Sequence, residues 1–67
     1  MRTGADGLWR VIYMAHSLQV LKSIEELLRG EGFLVRRREE SGAGAYELCV
    51  LESEAREARQ FILEKGY

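Results

Sequence analysis

The 67-residue sequence predicts a small α+β domain, and three patterns carry that prediction. Two segments, near 18–29 and 54–65, repeat apolar residues at helical spacing. Three others, near 8–15, 33–38 and 45–51, are short and strand-like, with β-branched or aromatic residues and glycine or polar residues at their ends. Together they fall in the order β-α-β-β-α. A chain of this length buries only about 60% of the surface it exposes when unfolded, which allows one core and one domain. Dinucleotide-binding folds, kinases and pyridoxal-phosphate enzymes need several times this length around their cofactors, and no cofactor is expected here.

The first strand, 8–15, reads Leu-Trp-Arg-Val-Ile-Tyr-Met-Ala and is too short for a stable helix. Alternation places Arg10 on the face opposite Trp9, Val11 and Tyr13, and the latter three are expected to face the helices. Ser17 is the expected cap of a helix that runs to about Arg29, its hydroxyl accepting from a free backbone N–H one turn on. At 100° per residue, Val20, Leu21, Ile24, Leu27 and Leu28 share an arc of roughly 120°, with Gln19, Lys22, Ser23, Glu26 and Arg29 on the other side. Gly30 or Gly32 then ends the helix by taking the left-handed conformation that a side chain resists.

The second strand, 33–38, packs Phe33, Leu34 and Val35 before its arginines emerge. The Ser-Gly-Ala-Gly stretch within 39–44 suits the positive φ angles of a hairpin loop. The third strand, 45–51, alternates Tyr46, Leu48 and Val50 with Glu47, Cys49 and Leu51. Ser53 is expected to cap the second helix, 54–65, in which Ala55, Ala58, Phe61 and Ile62 share one arc, and Gly66 stands at its C-terminal stop.

A strand, a crossover helix and a parallel strand form a right-handed unit, and the hairpin strand returns between the two parallel ones. The sheet order is therefore 1-3-2 with both helices on one face. This is the ferredoxin-like split β-α-β arrangement lacking its last strand, which leaves the outer edge of strand one unpaired. Residues 1–7 read as a flexible lead-in and 8–67 as a single domain.

Ile12-Tyr13-Met14-Ala15, the run Leu27-Leu28-Arg29-Gly30-Glu31-Gly32-Phe33, and Glu47-Leu48-Cys49-Val50 before a helix with Ala55 and Ala58 point to a family. In these segments the chain resembles a small bacterial family of signal-transducing proteins whose domain has no assigned function. The resemblance runs from about Trp9 to Leu63. Members commonly carry a proline after the third-strand valine and an asparagine near the start of helix one, where this chain has Leu51 and His16-Ser17. The resemblance implies a compact α+β module used for binding or signalling, and it brings no catalytic residue with it.

Ten Lys plus Arg against eleven Asp plus Glu give a formal net charge of −1. That removes the broad field that drives most nucleic-acid binding. The single cysteine, Cys49, forms no internal disulfide and no multi-thiolate metal site, which fits a cytoplasmic setting. No apolar run approaches the length of a membrane span, and 1–7 does not read as a signal peptide.

Among candidate binding residues, Arg36, Arg37 and Arg38 can grip a phosphate or an acidic partner, but Glu39 and Glu40 follow at once, and alternation splits Arg37 from the other two. The plainer reading is a solvated strand end that discourages edge aggregation. His16 and Ser17 stand where strand one meets helix one, a place where free N–H groups favour anions, although a plain cap explains Ser17. Gly42-Ala43-Gly44 joins two strands and so reads as a turn, not a phosphate loop. Cys49, in mid-strand without electropositive neighbours, reads as inert. Glu52, Glu54 and Glu57 complement the dipole of helix two. No catalytic set or metal-ligand spacing emerges.

The sequence therefore suggests a non-enzymatic interaction or signalling module that binds a protein or a small regulatory ligand. The strand-one edge, guarded only by Arg10, is expected to form a weak homodimer or a partner complex unless the lead-in folds over it. The alternative is a nucleic-acid-binding domain using an open sheet face with Arg10, Arg36 and Arg38. Near-neutral charge and the lack of paired aromatics on that face count against it.

Overall fold

The computed structural model describes residues 8–40 and 44–67. The chain forms β1 (Trp9–Ala15), α1 (Leu18–Gly30), β2 (Val35–Glu40), β3 (Ala45–Leu51), a 3₁₀ turn (Glu52–Glu54) and α2 (Ala55–Glu64). The strands lie in the order β1-β3-β2, and β3 pairs antiparallel with both neighbours. The β-α-β-β-α order and the sheet read from the sequence are those observed. The lead-in expected at 1–7 and the Gly42-Ala43 turn lie outside the described residues.

Leu48 and Val50 of β3 pack with Leu21, Ile24 and Leu28 of α1 and with Ala55, Ala58 and Ile62 of α2 in one buried cluster. Because side chains alternate along a strand, this places both helices on the face of the sheet that carries Leu48 and Val50. Glu47, Cys49 and Leu51 point to the opposite, helix-free face.

Strict alternation fails in β1. Val11 is paired with Cys49 and Tyr13 with Leu48, so Ile12 is an extra residue with no partner in β3. A bulge of this kind turns two consecutive side chains to one side. Ile12, Tyr13 and Ala15 accordingly pack against the core, while Trp9 and Val11, paired with Leu51 and Cys49, lie on the helix-free face. Of the three residues expected to meet the helices, only Tyr13 does so. Arg10, opposite Val50, falls on the helix side instead.

Both helices end by the same device. After α1, Gly32 takes φ 97°, its N–H bonds the Arg29 carbonyl, and the Phe33 N–H reaches back to the Leu28 carbonyl. After α2, Gly66 takes φ 94°, its N–H bonds Leu63, and the Tyr67 N–H reaches Ile62. Each is a Schellman closure in which the aromatic residue after the glycine follows the chain back over the last turn. Gly32, not Gly30, is the stop. The reversal delays the second strand to Val35, leaving Leu34 exposed, and the ladder then continues through Glu39 and Glu40, beyond the strand end expected at residue 38.

The start of α1 follows expectation, with Ser17 Oγ accepting from the Val20 N–H at 3.2 Å. Its buried stripe is rotated toward β2. Leu21, Ile24, Glu25 and Leu28 are buried, and Val20, expected inside, is exposed. Glu25 lies within this stripe and is held there by Arg29 and Arg37. Ser53 does not cap α2. The 3₁₀ turn leads into the helix instead, and the Ala55 N–H is bonded to the Glu52 carbonyl.

Leu28 has no solvent exposure and joins the α1 stripe to the Schellman closure. Leu28→Ala is expected to lower stability by about 2–5 kcal/mol, the range for truncating a buried leucine that leaves a cavity. Denaturant melts measure this directly, and a loss below about 0.5 kcal/mol would remove Leu28 from the core.

Candidate functional surface

The fold distributes the six sequence candidates over four separate places. On the helix-free face, Arg36 pairs with Cys49 and Arg38 with Glu47 in register. The Arg36 guanidinium lies 5.7 Å from the centre of the Trp9 ring, and Arg38 Nη2 is 2.9 Å from Glu47 Oε1. These two contacts roof the middle of β3, where Glu47 is 8% exposed and Cys49 only 1%. Arg37 points the other way and contacts Glu25 at 3.4 Å, joining Arg29, which binds the same carboxylate at 2.9 Å. The triple-arginine run is thus divided between two faces, with each member placed against a group of the protein itself.

Arg10 does not join Arg36 and Arg38 on the helix-free face. It reaches Glu52 in the 3₁₀ turn at 2.6 Å, a pair half open to solvent and therefore worth no more than about 1 kcal/mol. The bulge is what separates it, since Arg10 precedes Ile12 and shares the side of Val50. His16 is exposed between β1 and α1, and Ser17 is occupied as the cap of α1. The open-face set proposed for nucleic acid thereby shrinks to Arg36 and Arg38, accompanied by the single ring of Trp9.

Cys49 departs from expectation in one respect. Arg36 and Arg38 do neighbour it, and they pull its pKa down. Burial outweighs them, so the thiol titrates above its ordinary value of 9.0. Among the described residues, no three His, Cys, Asp or Glu side chains converge in a way that could hold a metal ion.

Sequence reasoning missed the surface that the bulge creates. With Ile12 and Tyr13 both turned toward the helices, an apolar cleft of about 220 Å³ opens between β1 and the last turns of α2. Ile12, Tyr13, Ile62, Leu63 and Tyr67 line it, and Arg59 stands at its rim. Leu63 is 66% exposed and Tyr67 43%, high values for large apolar side chains. The available signal was the Gly66-Tyr67 ending, which folds the final tyrosine back over Ile62.

Two other depressions flank the molecule. One of about 400 Å³ has Phe33 and Phe61 beside Glu31, Glu57 and Glu64, and one of about 430 Å³ lies among Leu8, Leu51, Glu52 and Ser53. Neither borders the outer edge of a strand. No described helix is long and apolar enough to cross a membrane.

The sequence matches no family model, no curated protein and no solved structure.

The Cys49 geometry has a direct chemical consequence. Alkylation of the native thiol by iodoacetamide is expected to be on the order of 100-fold slower than in the unfolded chain, because the native thiol is buried and less ionised than the opened one. A folded pKa above the unfolded one means that the native state keeps its proton longer. Stability is therefore level with respect to this group well below the ordinary thiol value of 9.0 and falls as pH rises through it. Native labelling at the rate of a free thiol would contradict the burial.

Proposed function

We propose that this chain is a non-enzymatic interaction module of the signalling or sensory kind, binding a protein partner along β1 and the adjoining end of α2. The observation that carries the reading is the contrast between the two edges of the sheet. Along β2 the sequence runs Arg36, Arg37, Arg38, Glu39 and Glu40 without an apolar break. Such a charged edge resists an incoming strand. The β1 edge carries one charge in seven residues, and that charge is engaged by Glu52.

The apolar cleft continues this edge onto α2, so a partner can combine short backbone pairing with one anchored side chain. The bulge at Ile12 guards the edge as well. It divides β1 into two short halves, and a long uninterrupted ladder is disfavoured. Affinity would then rest chiefly on the side chain taken into the cleft. At about 220 Å³ the cleft is smaller than the roughly 300–1,000 Å³ typical of small-molecule sites, which favours a protein side chain over a regulatory metabolite.

Selection from a displayed library of random peptides tests this without a known partner. Enriched peptides should share an apolar anchor, perturb the amide signals of Ile12, Tyr13, Ile62 and Leu63, and bind Leu63→Glu at least tenfold more weakly, a loss of about 1.4 kcal/mol. Perturbations centred on Arg36 and Arg38 instead, with Leu63→Glu binding normally, would sink the proposal.

A further inference from the structure

We infer that the cleft between α2 and the α1–β2 turn takes up a basic segment of a partner protein, with arginine or lysine stems laid over Phe33 and Phe61 and their cations held by Glu31, Glu57 and Glu64. This is a second surface, separate from the β1–α2 cleft. At 100° per residue, Glu57, Phe61 and Glu64 share one face of α2, while Arg59, Ile62 and Leu63 fall on the opposite one. The two readings stand or fall independently.

The floor of the cleft is apolar and its rim is acidic. Phe33 and Phe61, both half-buried, meet with ring centres 6.2 Å apart, and Phe33 is brought there by the closure that ends α1. Three carboxylates line the cleft and no basic residue does. Glu25, Glu47 and Glu52, by contrast, are each matched by an arginine of this chain. Among the described residues, no Lys or Arg pairs with Glu31, Glu57 or Glu64, and the one side-chain hydrogen bond to them comes from Gln60, which donates to Glu64 at 3.5 Å. Negative charge is thus gathered around an apolar hollow and left unbalanced. Its complement is a basic side chain, which covers apolar surface with its stem and keeps its head polar.

The protein already uses this floor for a cation of its own. Lys65 Nζ lies 5.3 Å from the centre of the Phe61 ring, whose electron-rich face attracts positive charge. Spacing asks for more than one cation from the partner. Glu57 and Glu64 stand seven residues apart, about 10 Å along the helix axis, so a single head group does not reach both. Two basic residues on one segment satisfy the two ends, and Glu31 meets them from the α1–β2 turn. All three carboxylates are exposed, so a chain crossing the surface reaches them without entering the protein.

Capped hexapeptides with two arginines among glycine and serine are the probe, read by amide shifts in a labelled sample. The amides of Glu31, Phe33, Phe61 and Glu64 are expected to move together. Those of Glu26 and Glu39, exposed acids that line none of the three clefts, should stay in place. Affinity should fall about fivefold between roughly 20 and 200 mM salt, and about fivefold in the Glu57→Gln/Glu64→Gln variant with circular dichroism unchanged. Lys65→Gln, which removes the competing ammonium from Phe61, should bind about twofold more tightly, while Lys22→Gln, the same change of charge outside the cleft, should bind as the parent does. Equal binding of peptides with glutamine in place of arginine would overturn the inference, as would shifts spread evenly onto Glu26 and Glu39 or a double variant that binds like the parent. Tighter binding of spermidine than of any peptide would replace the partner protein with a free polyamine and overturn it too.

Discussion

Ile12 stands in β1 without a partner in β3, and the side chains beyond it are reversed relative to those before it. With unbroken alternation, Trp9, Val11, Tyr13 and Ala15 would share a face. With the extra residue, Trp9 and Val11 cover the helix-free side of β3 while Ile12, Tyr13 and Ala15 complete the core on the other. A domain this small has few large side chains to bury, and each one fully withdrawn from water contributes about 1.5–3 kcal/mol. The bulge lets one seven-residue strand serve both faces. The roof over Cys49, the position of Arg10 and the cleft beside α2 all follow from it.

Charged side chains complete what the short apolar inventory leaves open. Glu25 is 4% exposed in the middle of the α1 stripe, and Arg29 and Arg37 hold it there. Glu47 on the far face is held by Arg38 through two hydrogen bonds. Buried carboxylates of this kind are costly unless paired, and removing an arginine leaves the penalty behind. The triple-arginine run thus has a structural explanation. Two arginines cover the helix-free face of the sheet and the third ties β2 to α1. Arg36 over Trp9 adds about 0.5–1 kcal/mol, a value suited to an exposed cation–π contact.

Much of this was legible in the sequence. The element order, the sheet order, the Ser17 cap and the main apolar residues of both helices follow from periodicity and cap chemistry, because those signals are local. Three features were not legible, for a common reason. The bulge depends on how β1 meets β3, the burial of Glu25 depends on arginines supplied from α1 and β2, and the late start of β2 depends on Phe33 folding back to Leu28. Each is a tertiary decision that overrides a local pattern. The candidate surface was half visible. The apolar edge of β1 could be read directly, but the cleft required knowing that Ile12 and Tyr13 turn the same way and that Tyr67 closes over Ile62. Alternation counted straight from Arg10 to Tyr13 runs through the bulge and so puts Arg10 on the wrong face.

The register of β1 against β3 is therefore the most direct test of the account. Cross-strand nuclear Overhauser effects between backbone protons in a labelled sample read it residue by residue. The bulged register predicts contacts linking Val11 with Cys49, Tyr13 with Leu48 and Ala15 with Tyr46. An unbroken register would instead link Ile12 with Leu48 and Tyr13 with Glu47. That result would send Tyr13 to the helix-free face, dissolve the cleft beside α2 and contradict the account at its root.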